Sequence, residues 1–180
     1  MRAAGDEMVD IVDDNDQVIH TVSRREMRAG RLLHRAVFIA VVHPDGRLLV
    51  HRRSESKDLW PGWWDIAVGG VVAAGESYED GARREVAEEI GVNTEPEPIG
   101  GGRFVDDDVA LLGRCFRVTH AGPFTFADGE VVEAQWVTRD ELESLRAERR
   151  FLPDSLAVLL PLLDVVAGHD FRSTRSTAPQ

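Results

Sequence analysis

The chain has 180 residues, 43% of them apolar and 29% charged, with a formal net charge of −11. That length suits one domain with a sizeable core, and the acidic balance argues against a nucleic-acid partner held by a broad basic surface. One cysteine, Cys115, excludes an intrachain disulfide and fits a cytoplasmic setting.

Residues 1–7 turn acidic where a signal peptide would become apolar. Val9–Val12 and Gln17–Val22 flank Asp13-Asp14-Asn15-Asp16, which reads as a hairpin turn. Ser23 with Glu26 three residues on predicts a capping box for a short helix, with Gly30 as its stop. Ala36–Val42 is a continuous apolar run, a buried central strand that is far too short to span a bilayer. No membrane partner is expected. Pro44-Asp45-Gly46 turns this strand into Leu48–Arg52.

A rigid aromatic loop follows at Trp60-Pro61-Gly62-Trp63-Trp64, then a short strand at Ile66–Val68. Ser77 and Asp80 cap a helix running to about Ile90, and Gly91 ends it. Further strands are predicted at Gly102–Val105, Ala110–Val118 and Val131–Val137, and Thr138-Arg139-Asp140-Glu141 opens another helix. A last helical region follows Pro153-Asp154-Ser155, kinked or split by Pro161, and residues 172–180 fray. Strands and helices mix irregularly. That order implies an α/β class with a mixed sheet and helices on its faces, in one domain over 1–180.

Helix 77–90 contains Arg84-Glu85-Val86-Ala87-Glu88-Glu89. At 100° per residue, with Glu85 at 0°, Glu89 falls near ~40° and Glu88 near about −60°. The apolar stripe of Ala82, Val86 and Ile90 runs from about 60° to about 140°, so Glu89 sits at its edge. A surface helix whose acids pair with Arg83 and Arg84 is the ordinary alternative. It fits poorly here, because like charges at i, i+4 cost roughly 0.2–0.5 kcal/mol and a place beside the core adds desolvation. A hard divalent cation would make the cluster favourable, since Mg²⁺ takes oxygen ligands and shares its shell with phosphates. Gly69-Gly70 end the preceding strand and let the backbone approach an ion closely, while Glu76, beyond the turn at Gly75, could reach back to the cluster.

Gly70, Glu76, Arg84, Glu85, Val86, Glu88, Glu89, Gly91 and Val92 match G-x5-E-x7-R-E-U-x-E-E-x-G-U without a mismatch, U being a bulky aliphatic residue. A chance match at one start has odds of roughly 10⁻⁹. This pattern is the signature of the Nudix hydrolase superfamily, which the chain resembles over about residues 8–165. The resemblance implies an α/β/α sandwich and Mg²⁺-dependent hydrolysis, with Mn²⁺ as a substitute, of a diphosphate linkage in a nucleotide or nucleotide derivative. It makes Glu85 and Glu89 the main metal ligands, assisted by Glu88 and the Gly70 carbonyl, with Arg84 orienting the carboxylates. It leaves Glu76, Glu88 and Glu133 as alternative general bases.

The segment from His51 to Trp64 resembles isopentenyl-diphosphate isomerase, a Nudix-fold enzyme, in which the residues matching Arg53 and Lys57 grip the substrate diphosphate. Ordinary surface charges are the alternative for both. The isomerase also needs a cysteine near the position of Gly69 and histidines matching Met27, His34 and Val71, of which only His34 is present. The framework is thus similar to isomerase-like bacterial Nudix hydrolases. Three functions compete: diphosphate hydrolysis, isopentenyl-diphosphate isomerisation, and non-catalytic nucleotide sensing. Trp60, Trp63 and Trp64 could stack on a base or pack the core, Phe104 and Asp106–Asp108 could line the pocket, and Cys115 is expected to be a buried thiol. The oligomeric state is open, with a homodimer the commonest form.

Overall fold

Strand β3 (His34–Val42) organises the fold, because its apolar run feeds two cores at once. The computed structural model describes residues 4–126 and 129–166. Along β3, Val37, Ile39 and Val41 point to one face of the sheet, while Ala36, Phe38 and Ala40 point to the other. The first face is covered by α2 (Tyr78–Ile90) through Ala82, Val86 and Ile90. The second is covered by α3 (Arg139–Glu148), α4 (Pro153–Val158) and α5 (Leu160–Val166). A strand buried on both faces needs no polar alternation.

The sheet is mixed, as expected. β3 runs parallel to β8 (Ala110–Thr119) along its whole length and antiparallel to β6 (Val68–Val71) over Ala36–Ile39. β7 (Glu97–Val105) extends the β8 side, and β1 (Met8–Val12) with β2 (Val18–Ser23) forms the other margin. β4 (Leu48–Arg53) joins β3 by a hairpin and pairs with both β5 (Trp64–Asp65) and β9 (Val131–Val137). No helix among the described residues is long and apolar enough to cross a membrane. Residues 172–180, expected to fray, lie outside the described residues.

Three boundaries differ from the expectation. In place of one strand at Ile66–Val68 there are two, β5 and β6, on either side of Ile66-Ala67, because Asp65 Oδ1 accepts the Ala67 N–H at 3.1 Å and turns the chain from the β4 edge to the β3 edge; Gly69-Gly70 therefore lie inside β6, paired with β3, and do not end a strand. Helix α1 (Arg24–Gly30) does begin at the Ser23–Glu26 capping box, but its left-handed cap is Arg31, at φ 47°. Gly30 stays helical beneath Leu32, whose Cγ would lie 3.0 Å from an added Cβ. The strand at Gly102–Val105 begins earlier, at Glu97, since its glycines serve close packing against β8: a Cβ at Gly101 would sit 2.4 Å from the Gly113 carbonyl. The split expected from Pro161, which cannot donate to the preceding turn, is present, with the last helical region divided at Leu159.

Candidate active site

The helical arithmetic places the acids of α2 where the structure has them. Val86 and Ile90 are fully buried, and Glu85 and Glu89, one turn apart at the rim of the stripe, are only 8% and 5% exposed. Glu88 points outward, with its side chain 60% exposed. Burial raises the Glu85 carboxyl above the ordinary range, against the opposing pull of Arg84. Burial and the neighbouring Glu85 raise Glu89 further.

β6 supplies the wall opposite these acids. Its antiparallel pairing sets Gly69 against Phe38 and Gly70 against Val37. A Cβ on Gly70 would lie 2.6 Å from Glu85 Oε1, so a glycine is what lets helix and strand approach this closely. Gly69 donates its N–H to Glu89 Oε2 at 3.4 Å. Arg84 ties the remaining pieces together: it donates to both Glu76 oxygens at 2.9 and 3.0 Å, to Glu85 at 2.7 Å, to Glu88 at 3.2 Å and to the Val71 carbonyl at 3.2 Å. Glu76 also accepts the Ala73 N–H. Burial alone would raise Glu76, yet the bonds from Arg84 and from the Ala73 N–H, with the charge of Arg84, together outweigh it and hold the carboxyl low. Among the described residues no three acidic, histidine or cysteine side chains already converge as a metal-ligand set; the carboxylates are instead gathered by Arg84. Their chemistry nevertheless fits a hard cation, since the acidic side chains lining the outer cleft with Gly69-Gly70 offer carboxyl oxygens and two of them, Glu85 and Glu89, are buried.

Basic side chains close the cleft. Arg53 and Lys57, from β4 and the loop beyond it, line the same cleft as Gly70, Glu85, Glu88 and Glu89. Lys57 is hydrogen-bonded to Glu130. Arg24 and Arg28 join them from α1, which is anchored by Met27 packing with Val9, Ile11 and Val71. Behind this basic collar lies a smaller recess reached by His34, Asp65, Asp154 and Trp60.

The recess holds two titrating groups of opposite sense. His34 is 1% exposed with Nδ1 2.9 Å from the Leu32 carbonyl, and burial pushes its imidazole from 6.5 down to about 4. Asp154 is 7% exposed, and burial together with Asp65 pushes its carboxyl from 3.8 up to about 7. The contribution of His34 to stability is therefore full above pH 6.5 and lost as the pH falls toward 4. That of Asp154 is full below pH 3.8 and lost as the pH rises toward 7. Relative to the unaltered chain, Asp154→Asn should gain about 3 kcal/mol as the pH is raised from 5 to 8. His34→Gln should gain about 2 kcal/mol as it is lowered from 7 to 5. Urea unfolding at the two pH values measures both, and parallel pH–stability curves for all three chains would refute the assignment.

Of the residues singled out from sequence, Gly70, Glu76, Arg84, Glu85, Glu88, Glu89, Arg53 and Lys57 come together. Glu133 does not. Ala134 and Trp136 pack on the α2 face and Val137 on the other, so Glu133, in step with Val137, faces away from α2 and lies 3.5 Å from Arg52. Glu130, which sequence reasoning missed, lines the cleft instead. Arg24 and Arg28 were missed too, although two arginines at i, i+4 on a capped helix of an acidic chain were a readable signal. Trp64 is core, packed on Phe151, whereas Trp60 lines the recess. Phe104 packs against the core, and Asp106 caps its own turn through the Asp108 and Val109 N–H groups. Cys115 is buried with its thiol raised to about 12 by burial.

Comparison with known proteins agrees with this geometry. The NUDIX domain family model matches residues 32–157. The uncharacterized Nudix hydrolase YfcD of Escherichia coli (strain K12) is 42% identical over 159 residues, covering 88% of this chain and 87% of its own. The uncharacterized Nudix hydrolase SCO1686 of Streptomyces coelicolor is 40% identical over 160 residues, covering 87% of this chain and 88% of its own. Among solved structures, that of DR0079 from Deinococcus radiodurans is similar with a TM-score of 0.68 at 25% identity, covering 92% of this chain and 100% of that one.

Proposed function

Because the chain belongs to the NUDIX domain family, we propose that it is a Mg²⁺-dependent hydrolase that cleaves a diphosphate linkage, with nucleoside di- or triphosphates as its substrates. The observation that carries the reading is the pair of buried carboxylates, Glu85 and Glu89, set against Gly69-Gly70 and faced by Arg53 and Lys57. Anionic and cationic groups of this kind on one cleft suit a cation and a phosphate chain together. Glu85 and Glu89 would hold the metal, with Glu88 and the Gly70 carbonyl assisting; Mn²⁺, also served by oxygen ligands, is the expected substitute. When bound, the metal neutralises phosphate charge and lowers the pKa of water.

The chain's own groups do the rest. Arg84 fixes the rotamers of Glu76, Glu85 and Glu88, and Arg53 and Lys57 hold the diphosphate in line with the attacking water. As water oxygen bonds to phosphorus and the bridging P–O bond breaks, a carboxylate must take the water's proton. Glu76 has both oxygens occupied by Arg84, and Glu133 faces away from α2. Glu88 is in the cleft and largely open to water. We assign it the base. Glu88→Gln should lower kcat by about 10²–10⁴-fold, while Glu133→Gln should stay within about 3-fold; the reverse ranking would sink the assignment.

Isomerisation of isopentenyl diphosphate finds no support in this site. Met27 and Val71, at two of the positions where the isomerase has histidines, pack together in an apolar cluster. Gly69 offers no thiol to pass a proton to the double bond, and a Cβ there would lie 2.1 Å from the Val37 carbonyl. Nucleoside di- and triphosphates incubated with the chain and Mg²⁺, with product identification, test the hydrolase reading. Release of phosphate or nucleoside monophosphate, abolished by EDTA, is expected; no turnover of any of them by folded, metal-supplied protein overturns it.

A further inference from the structure

Helix α1 precedes residues 32–157, the span matched by the family model, yet two of its side chains stand in the cleft. Arg24 and Arg28, one turn apart, meet Arg53 where the outer cleft narrows into the recess. Each of the three has a buried Nε with no hydrogen-bond partner. Arg28 has no ion-pair partner within 4 Å among the described residues, and Arg53 makes one long contact, 3.4 Å to the Leu59 carbonyl. Arg24 is paired with Glu7 at 2.9 Å. Burial, with Arg24 second, pushes the Arg28 guanidinium down to about 10, so it stays charged at neutral pH. Asp58 and Asp154 act on Arg28 in the opposite sense, and Asp65 also lines the recess. Those Nε atoms are closed to solvent, so an oxyanion in the recess would meet the guanidinium groups through their charge and outer N–H donors, and it would offset the cost of holding three partly desolvated cations together, Arg28 without an ion-pair partner among the described residues.

Size decides which anion. The recess has a cavity volume of about 80 Å³ and the outer cleft one of about 290 Å³. That is several times the ~10–15 Å³ needed to admit one water, and at about 30 Å³ of liquid per water the recess takes roughly three. A phosphoryl group matches that size, and a nucleoside is several times too large.

We infer that Arg24, Arg28 and Arg53 form a seat for a terminal, unesterified phosphoryl group, selecting diphosphate monoesters and polyphosphates over diphosphates esterified at both ends. The seat deepens the hydrolase reading and rests on it for its place in catalysis, but not for its binding chemistry. A terminal phosphoryl has three free oxygens and up to two charges for three guanidinium groups. An internal one has two free oxygens, one charge, and an ester group that the recess cannot hold.

Calorimetry on the full chain in EDTA tests the seat without turnover, using inorganic pyrophosphate, ADP and ADP-ribose as probes. Pyrophosphate and ADP should bind at least about 10-fold more tightly than ADP-ribose, as expected for a lost charge-assisted bond. Arg28→Gln and Arg24→Gln should each remove most of that preference, and Arg28→Lys should restore part of it. Arg28→Gln should also leave the thermal midpoint unchanged or raise it. Equal binding of the three probes, no pyrophosphate binding, or unaltered preference in both glutamine variants overturns the proposal. So does a fall in the Arg28→Gln midpoint, which would make Arg28 structural. Failure of turnover with retained preference would instead remove the hydrolase reading and leave the seat.

Discussion

Glu89→Gln is expected to lower diphosphate hydrolysis by at least about 10³-fold while making the metal-free chain more stable at pH 8. Losing one preorganised charge at a reacting centre costs about 10²–10³-fold, and a buried metal ligand adds to that. Glu89 is 5% exposed, and among the described residues its one hydrogen bond is the 3.4 Å contact from the Gly69 N–H. Its carboxyl lies well above the ordinary range because of burial and of Glu85. The sign follows from that direction. A carboxyl raised in the folded state contributes stability at low pH that is lost as the pH rises through its folded value. A neutral glutamine of the same shape escapes that loss. Urea unfolding in EDTA at pH 5 and pH 8 should show the gain growing with pH, alongside steady-state turnover in Mg²⁺. A variant that keeps a tenth of its activity, or that loses stability at pH 8, would contradict the role assigned to Glu89.

Gly69→Ala should be the most damaging single methyl in the molecule. Gly69 sits at φ +154°, and an added Cβ would lie 2.1 Å from the Val37 carbonyl in the adjacent β3. That carbonyl belongs to a central strand paired on both edges, so it cannot yield without disturbing the β3–β8 ladder as well. Overpacking and backbone strain each cost roughly 1–3 kcal/mol, which sets a loss of about 2–6 kcal/mol. Activity should fall with it, because any shift of β6 moves Gly70 from Glu85. Gly75→Ala is the matched control. Its φ is +76°, but nothing lies within 4 Å of its added Cβ, so backbone strain of about 1 kcal/mol remains. Equal unfolding midpoints for the two variants would refute the steric argument.

Both predictions converge on the strand–helix pair that brackets the cleft, and the helix of that pair was the most legible part of the chain. Helical periodicity is local, so the rim position of Glu85 and Glu89, the outward Glu88 and the Ser77 and Gly91 caps followed from spacing alone. The apolar run of β3 announced burial on both faces for the same reason. Glu133 was different. Whether a strand residue faces α2 or the opposite core depends on register, and one step along β9 exchanges Glu133 for the other face. Glu130 enters the cleft only because of where β9 begins against β4.

Spacing likewise could not reveal that Arg24 and Arg28 belong to the site. Their helix is recognisable from its capping box, but it reaches the cleft because Met27 packs on Val71, a contact spanning more than forty residues of sequence. Local chemistry in this chain was thus determined by the sequence read as a line: the acid cluster, the caps and the glycines beside them. The tertiary structure decided the counter-charge facing that cluster and the size of the recess behind it. Those depend on side chains from distant elements meeting at one place, and on the volume left between them.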